Sequence, residues 1–224
     1  MIPFKAVLFD MDGVLVDNNR FHRQAWKDTA RDLLGLNLSE HDLDTRVDGG
    51  RNPEIQERLT GKKPTPEEAA HLHTFKENLY REAAKGQMQE VKGLSAYLQL
   101  LQDAGIPYAM VTSADRINVE FGLSELGLSH AFPLRIMGED VQNGKPHPEP
   151  YLKGAALLGM DPADCLVHED AIAGVKSGVN AGATVCALST TQTPENLRAA
   201  GAKWVVSDFL EWMREVTEQG NKGG

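Results

Sequence analysis

Six short apolar runs punctuate the chain, at Ala6–Phe9, Tyr108–Val111, Leu134–Met137, Cys165–Val167, Thr184–Leu188 and Trp204–Val206. Helical patterns separate the later runs, and this alternation predicts a mostly parallel sheet wrapped by helices. Between the first run and the second lie about ninety residues with no convincing strand, far more than a crossover connection uses. An inserted helical domain is the economical explanation. Within it Phe21, Ala25, Trp26, Thr29 and Leu33 fall on one helical face ahead of a stop at Gly35. Ser39 is placed to cap a second helix, and Asn52-Pro53 to open a third that ends near Gly61. Thr65-Pro66-Glu67-Glu68 reads as a capping box with proline in the first turn, opening a fourth helix that runs to about Gly86. The chain returns to the sheet near Val91-Lys92-Gly93, so residues 17–92 are expected to form the insertion and 1–16 with 93–224 the α/β core.

With 224 residues, 41% of them hydrophobic, the chain can bury a sizeable core. A formal charge of −9 with no basic run argues against nucleic acid or an anionic membrane surface as the main partner. No apolar run approaches membrane-spanning length, and the first residues lack the pattern of a secretory leader, so a cytoplasmic location is expected. Cys165 and Cys186 both lie in strand-like segments and read as buried thiols rather than a disulfide. The polar end, Gly220 to Gly224, reads as a disordered tail. A monomer is expected, with a higher oligomer left open.

Four groups of chemically capable residues fall where such a sheet gathers ligands, at the carboxyl ends of its strands. Asp10 and Asp12 follow the first run, Thr112-Ser113-Ala114-Asp115 the second; Lys145 precedes a helix, and Glu169-Asp170 follows a later strand. Each group has an ordinary reading of its own: turn acids at a strand exit, a hydroxyl helix cap, an exposed loop lysine, and acids favouring a helix N-terminus. Together they are hard oxygen ligands, one ammonium and a hydroxyl, a set that suits Mg²⁺ bound through carboxylates and phosphate oxygens. Zinc is disfavoured, because the seven histidines are scattered and both cysteines lie within strands. His168, at the end of a buried strand, reads as a packed, hydrogen-bonded histidine.

The Asp-x-Asp-Gly-Val stretch at Asp10 to Val14, the strand-end Ser113, the Gly144-Lys145-Pro146 loop and the Glu169-Asp170 pair occur in order along the chain. In these four motifs it resembles the haloacid dehalogenase superfamily, in the branch that carries an α-helical cap after the first motif. The likeness covers essentially the whole chain and is nearest to β-phosphoglucomutase and its sugar-phosphate phosphatase relatives, whose helix resembles Phe21-His22-Arg23-Gln24-Ala25-Trp26. It implies a Rossmann-like α/β core with an inserted α-helical cap domain.

The resemblance also implies a division of labour. Asp10 would be the nucleophile and Asp12 the general acid and base. Mg²⁺ would be held by the Asp10 carboxylate, the Asp12 backbone carbonyl and Asp170, with Glu169 as a further ligand, directly or through water. Lys145 would neutralise charge on the transferring group, and Ser113 and the Ala114 amide would bind its oxygens, with Thr112 the alternative hydroxyl. Gly13 would let the backbone approach the phosphate. From the cap, Arg51 would hold a second phosphate, His22 would contact or relay a proton near Asp12, and Lys76 would approach the substrate. Asn18-Asn19-Arg20, the glycine-rich Asp48 to Asn52 loop and Asp115-Arg116 depart from the mutase pattern. The expected function is therefore a Mg²⁺-dependent phosphatase of a small phosphorylated metabolite, with a sugar phosphate favoured. A phosphomutase, a pyrophosphatase and a non-catalytic phosphometabolite-binding protein are the alternatives.

Overall fold

In the computed structural model, which describes residues 4–48 and 51–222, the apolar runs pair into one parallel sheet. Its strands are β1 (Ala6–Phe9), β2 (Tyr108–Val111), β3 (Arg135–Ile136), β4 (Cys165–Glu169), β5 (Thr184–Leu188) and β6 (Trp204–Val206), in the order β3-β2-β1-β4-β5-β6. This is the expected α/β class. Strands sandwiched between helix layers are buried on both faces, which is why they read as continuous apolar runs rather than as alternating ones.

The chain divides into two units, residues 1–17 with 89–224 and residues 18–88. The second holds α1 (Asn19–Thr29), α2 (Glu40–Asp42), α3 (Asn52–Thr60) and α4 (Pro66–Ala84), with π-helical turns following α1 and α2. Its core gathers Trp26, Leu43, Val47, Ile55, Leu59 and Leu72. Ser39 and Thr65 each accept from the amide three residues on, while Asp42 and Glu68 reach back to the capping residue's own amide. Gly35 and Gly61 end their helices in the left-handed conformation. Gly49 and Gly50 of the glycine-rich loop lie outside the described residues.

In the first unit α5 (Leu94–Asp103), α6 (Arg116–Glu125), α7 (Glu149–Leu157), α8 (Ile172–Asn180), α9 (Pro194–Ala199) and α10 (Phe209–Lys222) accompany the sheet. One core cluster includes Ala6 and Leu8 of β1 with Val111, Tyr151, Val167 and Val185. The alternate residue Phe9 instead meets an aromatic group of Tyr97, His168 and Phe209. β3 is shorter than the apolar run by one residue at each end, and at its far end the Met137 amide donates to Asp140 at 2.8 Å. β4 runs two residues further than its apolar run, since His168 and Glu169 pair with Cys186 and Ala187 of β5. α10 continues to Lys222 through the first part of the expected tail; Gly223 and Gly224 lie outside the described residues. Both cysteines are buried and free. Among the described residues no helix is long and apolar enough to cross a membrane.

His168 is fully buried, with Nε2 3.2 Å from the Tyr97 hydroxyl and its ring stacked on Phe9. Burial depresses its pKa to about 3. The unfolded chain therefore takes up a proton below pH ~6.5 that the folded chain refuses until about pH 3. The stability contributed by neutral His168 is present above pH ~6.5 and is lost as pH falls through that window, by at most ~1.4 kcal/mol per pH unit. Urea midpoints at pH 7 and 4.5 are expected to differ less in His168→Gln than in the parent protein; equal differences would refute this account.

Candidate active site

β1 and β4 lie in register, with Phe9 opposite His168, and the Asp10 amide donates to the His168 carbonyl at 3.0 Å. That pairing sets Asp10 beside the exit of β4, where Glu169 and Asp170 follow. Ligand oxygens of Asp10, Glu169 and Asp170 all lie within 4.8 Å of one another. The Lys145 ammonium stands among them, donating to Asp10 Oδ1 at 2.6 Å, Glu169 Oε1 at 2.6 Å and the Val111 carbonyl at 3.0 Å. Its side chain is only 7% exposed, so the plainer alternative of a solvated loop lysine does not hold. Two buried carboxylates hold the ammonium inside.

Burial, reinforced by Glu169 and Asp12 and only partly opposed by Lys145, pushes the Asp10 pKa up to about 7. Asp170 is raised well above the usual carboxylate range by burial and by its neighbours Glu169 and Asp10, against a hydrogen bond from Thr191. Burial opposes the charge on Lys145, but Asp10 and Glu169 outweigh it and raise its pKa. Three crowded acids facing one ammonium are what a divalent cation relieves, and their hard oxygens suit a small one.

Gly13 has φ of 73°, and a Cβ there would lie 1.9 Å from Asp170 Oδ2 and 3.0 Å from Thr191 Oγ1. The glycine is thus required for the close approach of Asp170 as well as for its own backbone conformation. The Thr190 hydroxyl donates to the Gly13 carbonyl at 2.6 Å and ties this loop to the end of β5. After β2, Thr112 is buried and its Oγ1 accepts from the Ala114 amide at 3.1 Å, whereas Ser113 is exposed. The helix cap here is neither hydroxyl; Asp115 accepts from the Asn118 amide at 2.8 Å and opens α6. Asp12 is half-buried two residues past Asp10.

The remaining expected site residues belong to the helical unit. His22 stacks on Tyr80, with ring centroids 3.9 Å apart, and its Nδ1 accepts from Lys76 at 2.7 Å. Lys76 is 2% exposed and also pairs with Glu77 at 3.0 Å; Asn52 donates to the same Glu77 oxygen at 2.7 Å. Burial works against the Glu77 charge, but Lys76, His22 and Asn52 together hold its pKa down to about 2. Arg51 is exposed and engages Glu54, its Nε 2.8 Å from Oε1. The unit thus brings His22 and Lys76 together and gives Arg51 a different partner.

A sequence model described as haloacid dehalogenase-like hydrolase matches residues 4–182. The chain belongs to this family of hydrolases. Hexitol phosphatase A of Escherichia coli is 35% identical over 185 residues, 83% of each chain. A phosphorylated carbohydrates phosphatase of Thermotoga maritima is 31% identical over 182 residues, 80% of this chain and 82% of its own. Among solved structures, an HAD hydrolase of family IA, variant 3, from Entamoeba histolytica superposes with a TM-score of 0.85 at 31% identity, over 92% of this chain and 94% of that one.

Tyr151, Gly174, Thr190 and Thr191 were not among the residues the sequence singled out. Gly174 carried a usable signal, since a glycine inside a helix is disfavoured unless something packs against it. In the structure that something is the Glu169 carboxylate. The other three read as ordinary helix and loop residues.

Proposed function

We propose that this enzyme is a Mg²⁺-dependent phosphatase of small phosphorylated metabolites, with sugar phosphates as its substrate class. The observation that carries the reading is the Lys145 ammonium held 2.6 Å from Asp10 inside the group formed with Glu169 and Asp170. The hexitol and carbohydrate phosphatases it resembles support the substrate class.

Asp10 attacks phosphorus in line; the bond from phosphorus to the ester oxygen breaks as Asp12 gives that oxygen a proton. Asp12 then takes a proton from water, the water oxygen attacks the aspartyl phosphate, and the bond to Asp10 breaks to release phosphate. Lys145 offsets charge on the transferring oxygens, which Ser113 and the Ala114 amide bind. Ser113 is favoured as the hydroxyl because it is exposed, whereas Thr112 is buried. Asp10, the Asp12 carbonyl and Asp170 would hold Mg²⁺, which when bound would draw charge from the phosphoryl oxygens and favour the ionised form of both acids. His22, Lys76 and Arg51 are assigned to substrate selection.

A panel of hexitol and sugar phosphates, β-glucose 1-phosphate with a bisphosphate activator, and pyrophosphate tests this reading. Phosphate release dependent on Mg²⁺ and fastest from a sugar or hexitol monophosphate is expected. Fastest turnover of pyrophosphate, or formation of glucose 6-phosphate without free phosphate, would overturn it.

A further inference from the structure

The Glu169 carboxylate is enclosed by donors. Oε1 accepts from Lys145 at 2.6 Å and from the Tyr151 hydroxyl at 2.7 Å. Oε2 accepts from the Asp170 amide at 3.0 Å and the Ala171 amide at 3.2 Å. A carboxylate offers about four lone-pair sites, and four donors occupy them. The group also lies on the bare backbone of Gly174, where a Cβ would come within 1.8 Å of Oε1. Tyr151 is itself fully buried on α7, six residues after Lys145, and its ring lies 4.9 Å from the Lys145 nitrogen.

From this enclosure we infer that Glu169 is a positioning residue rather than a metal ligand. It seats Lys145 against Asp10, and the Tyr151 hydroxyl anchors the seat. To ligate a cation directly, Glu169 would have to surrender Lys145, Tyr151 or the two amides. Asp170 is differently placed, with Oδ2 against the bare backbone of Gly13 and a hydrogen bond from Thr191. The acids thus divide, Asp170 with Asp10 serving the cation and Glu169 serving the lysine. The inference rests on the phosphatase reading above for the roles of Lys145 and the metal, but its first readout needs no turnover.

Mn²⁺ binding to the full-length protein, followed by the electron paramagnetic resonance of the free ion, is measured for Tyr151→Phe, Glu169→Gln and Asp170→Asn. Turnover of p-nitrophenyl phosphate and thermal melting are measured alongside. Asp170→Asn is expected to weaken Mn²⁺ about tenfold or more, and Glu169→Gln by no more than about threefold while kcat falls at least about thirtyfold. Tyr151→Phe, which removes one oxygen and keeps the ring, is expected to bind Mn²⁺ within about twofold of the parent. Its kcat should drop about three- to tenfold at an unchanged KM, the size of one lost hydrogen bond. Mn²⁺ weakened equally by Glu169→Gln and Asp170→Asn overturns the division. An unchanged kcat in Tyr151→Phe overturns the anchor. Parent-like Mn²⁺ binding in Asp170→Asn defeats the metal assignment itself, a pattern distinct from the other two.

Discussion

Asp10→Asn is expected to stop phosphate release, by about three orders of magnitude or more, while the protein remains folded. The loss is large because the amide cannot serve as the nucleophile, and the two easier displacements collapse into one difficult step. The fold survives because Asn has nearly the shape of Asp and removes one of three mutually repelling acids. Lys145 keeps its second carboxylate, Glu169, at 2.6 Å. The pH dependence carries a further signature. A carboxyl whose folded pKa is raised to about 7 contributes stability that is complete below its unfolded value near 3.8 and is lost as pH rises through 7. The amide of Asp10→Asn does not titrate, so in metal-free buffer the melting temperature of the variant should gain on that of the parent between pH 5 and pH 8. Phosphate release at the parental rate would refute Asp10 as nucleophile, and a constant melting difference would refute its raised pKa.

Much of the frame was legible because parallel strands buried on both faces leave an unmistakable apolar run, and because the gap between the first two was too long for a crossover. Strand ends were harder to read. His168 and Glu169 are polar yet belong to β4, since ladder pairing with β5 outweighs their composition. Leu134 and Met137 are apolar yet fall outside β3; at Met137 the amide is taken by the Asp140 carboxylate instead of a neighbouring strand.

The same limit applies to the site. Spacing placed Asp10 and Asp170 at strand ends and Lys145 ahead of a helix, and a parallel sheet brings its carboxyl ends to one edge. It carried no information about which side chains would be saturated. Glu169 reads from the sequence as an acid like its neighbour, and only its four donors and the bare face of Gly174 set it apart. Lys145 reads from the sequence as a candidate site ammonium, with a solvated loop lysine as the plainer alternative, and only the structure shows it drawn inward by carboxylates distant in sequence.

That inward position sets the expected outcome of Lys145→Ala, which should lose both activity and stability. Phosphate release is expected to fall about a hundred- to a thousandfold, the usual effect of removing a group that stabilises charge on the transferring oxygens. Folding should also suffer, because two acids that shared one ammonium are left buried without it, and breaking a buried pair commonly costs about 3–5 kcal/mol. The acids have a partial escape in taking up protons. Lys145 is the group that pulls the Asp10 pKa down against burial, so without it that pKa moves above about 7. A raised folded pKa favours the fold at acid pH, with the benefit lost as pH rises through it. Metal-free Lys145→Ala should therefore melt closer to the parent at pH 5 and well below it at pH 8. Saturating Mg²⁺ should recover part of the difference at pH 8 without restoring turnover. A variant that melts like the parent at both values would show that Lys145 is not the countercharge of this site. One that loses stability equally at both would place the damage in packing of the lysine stem rather than in charge.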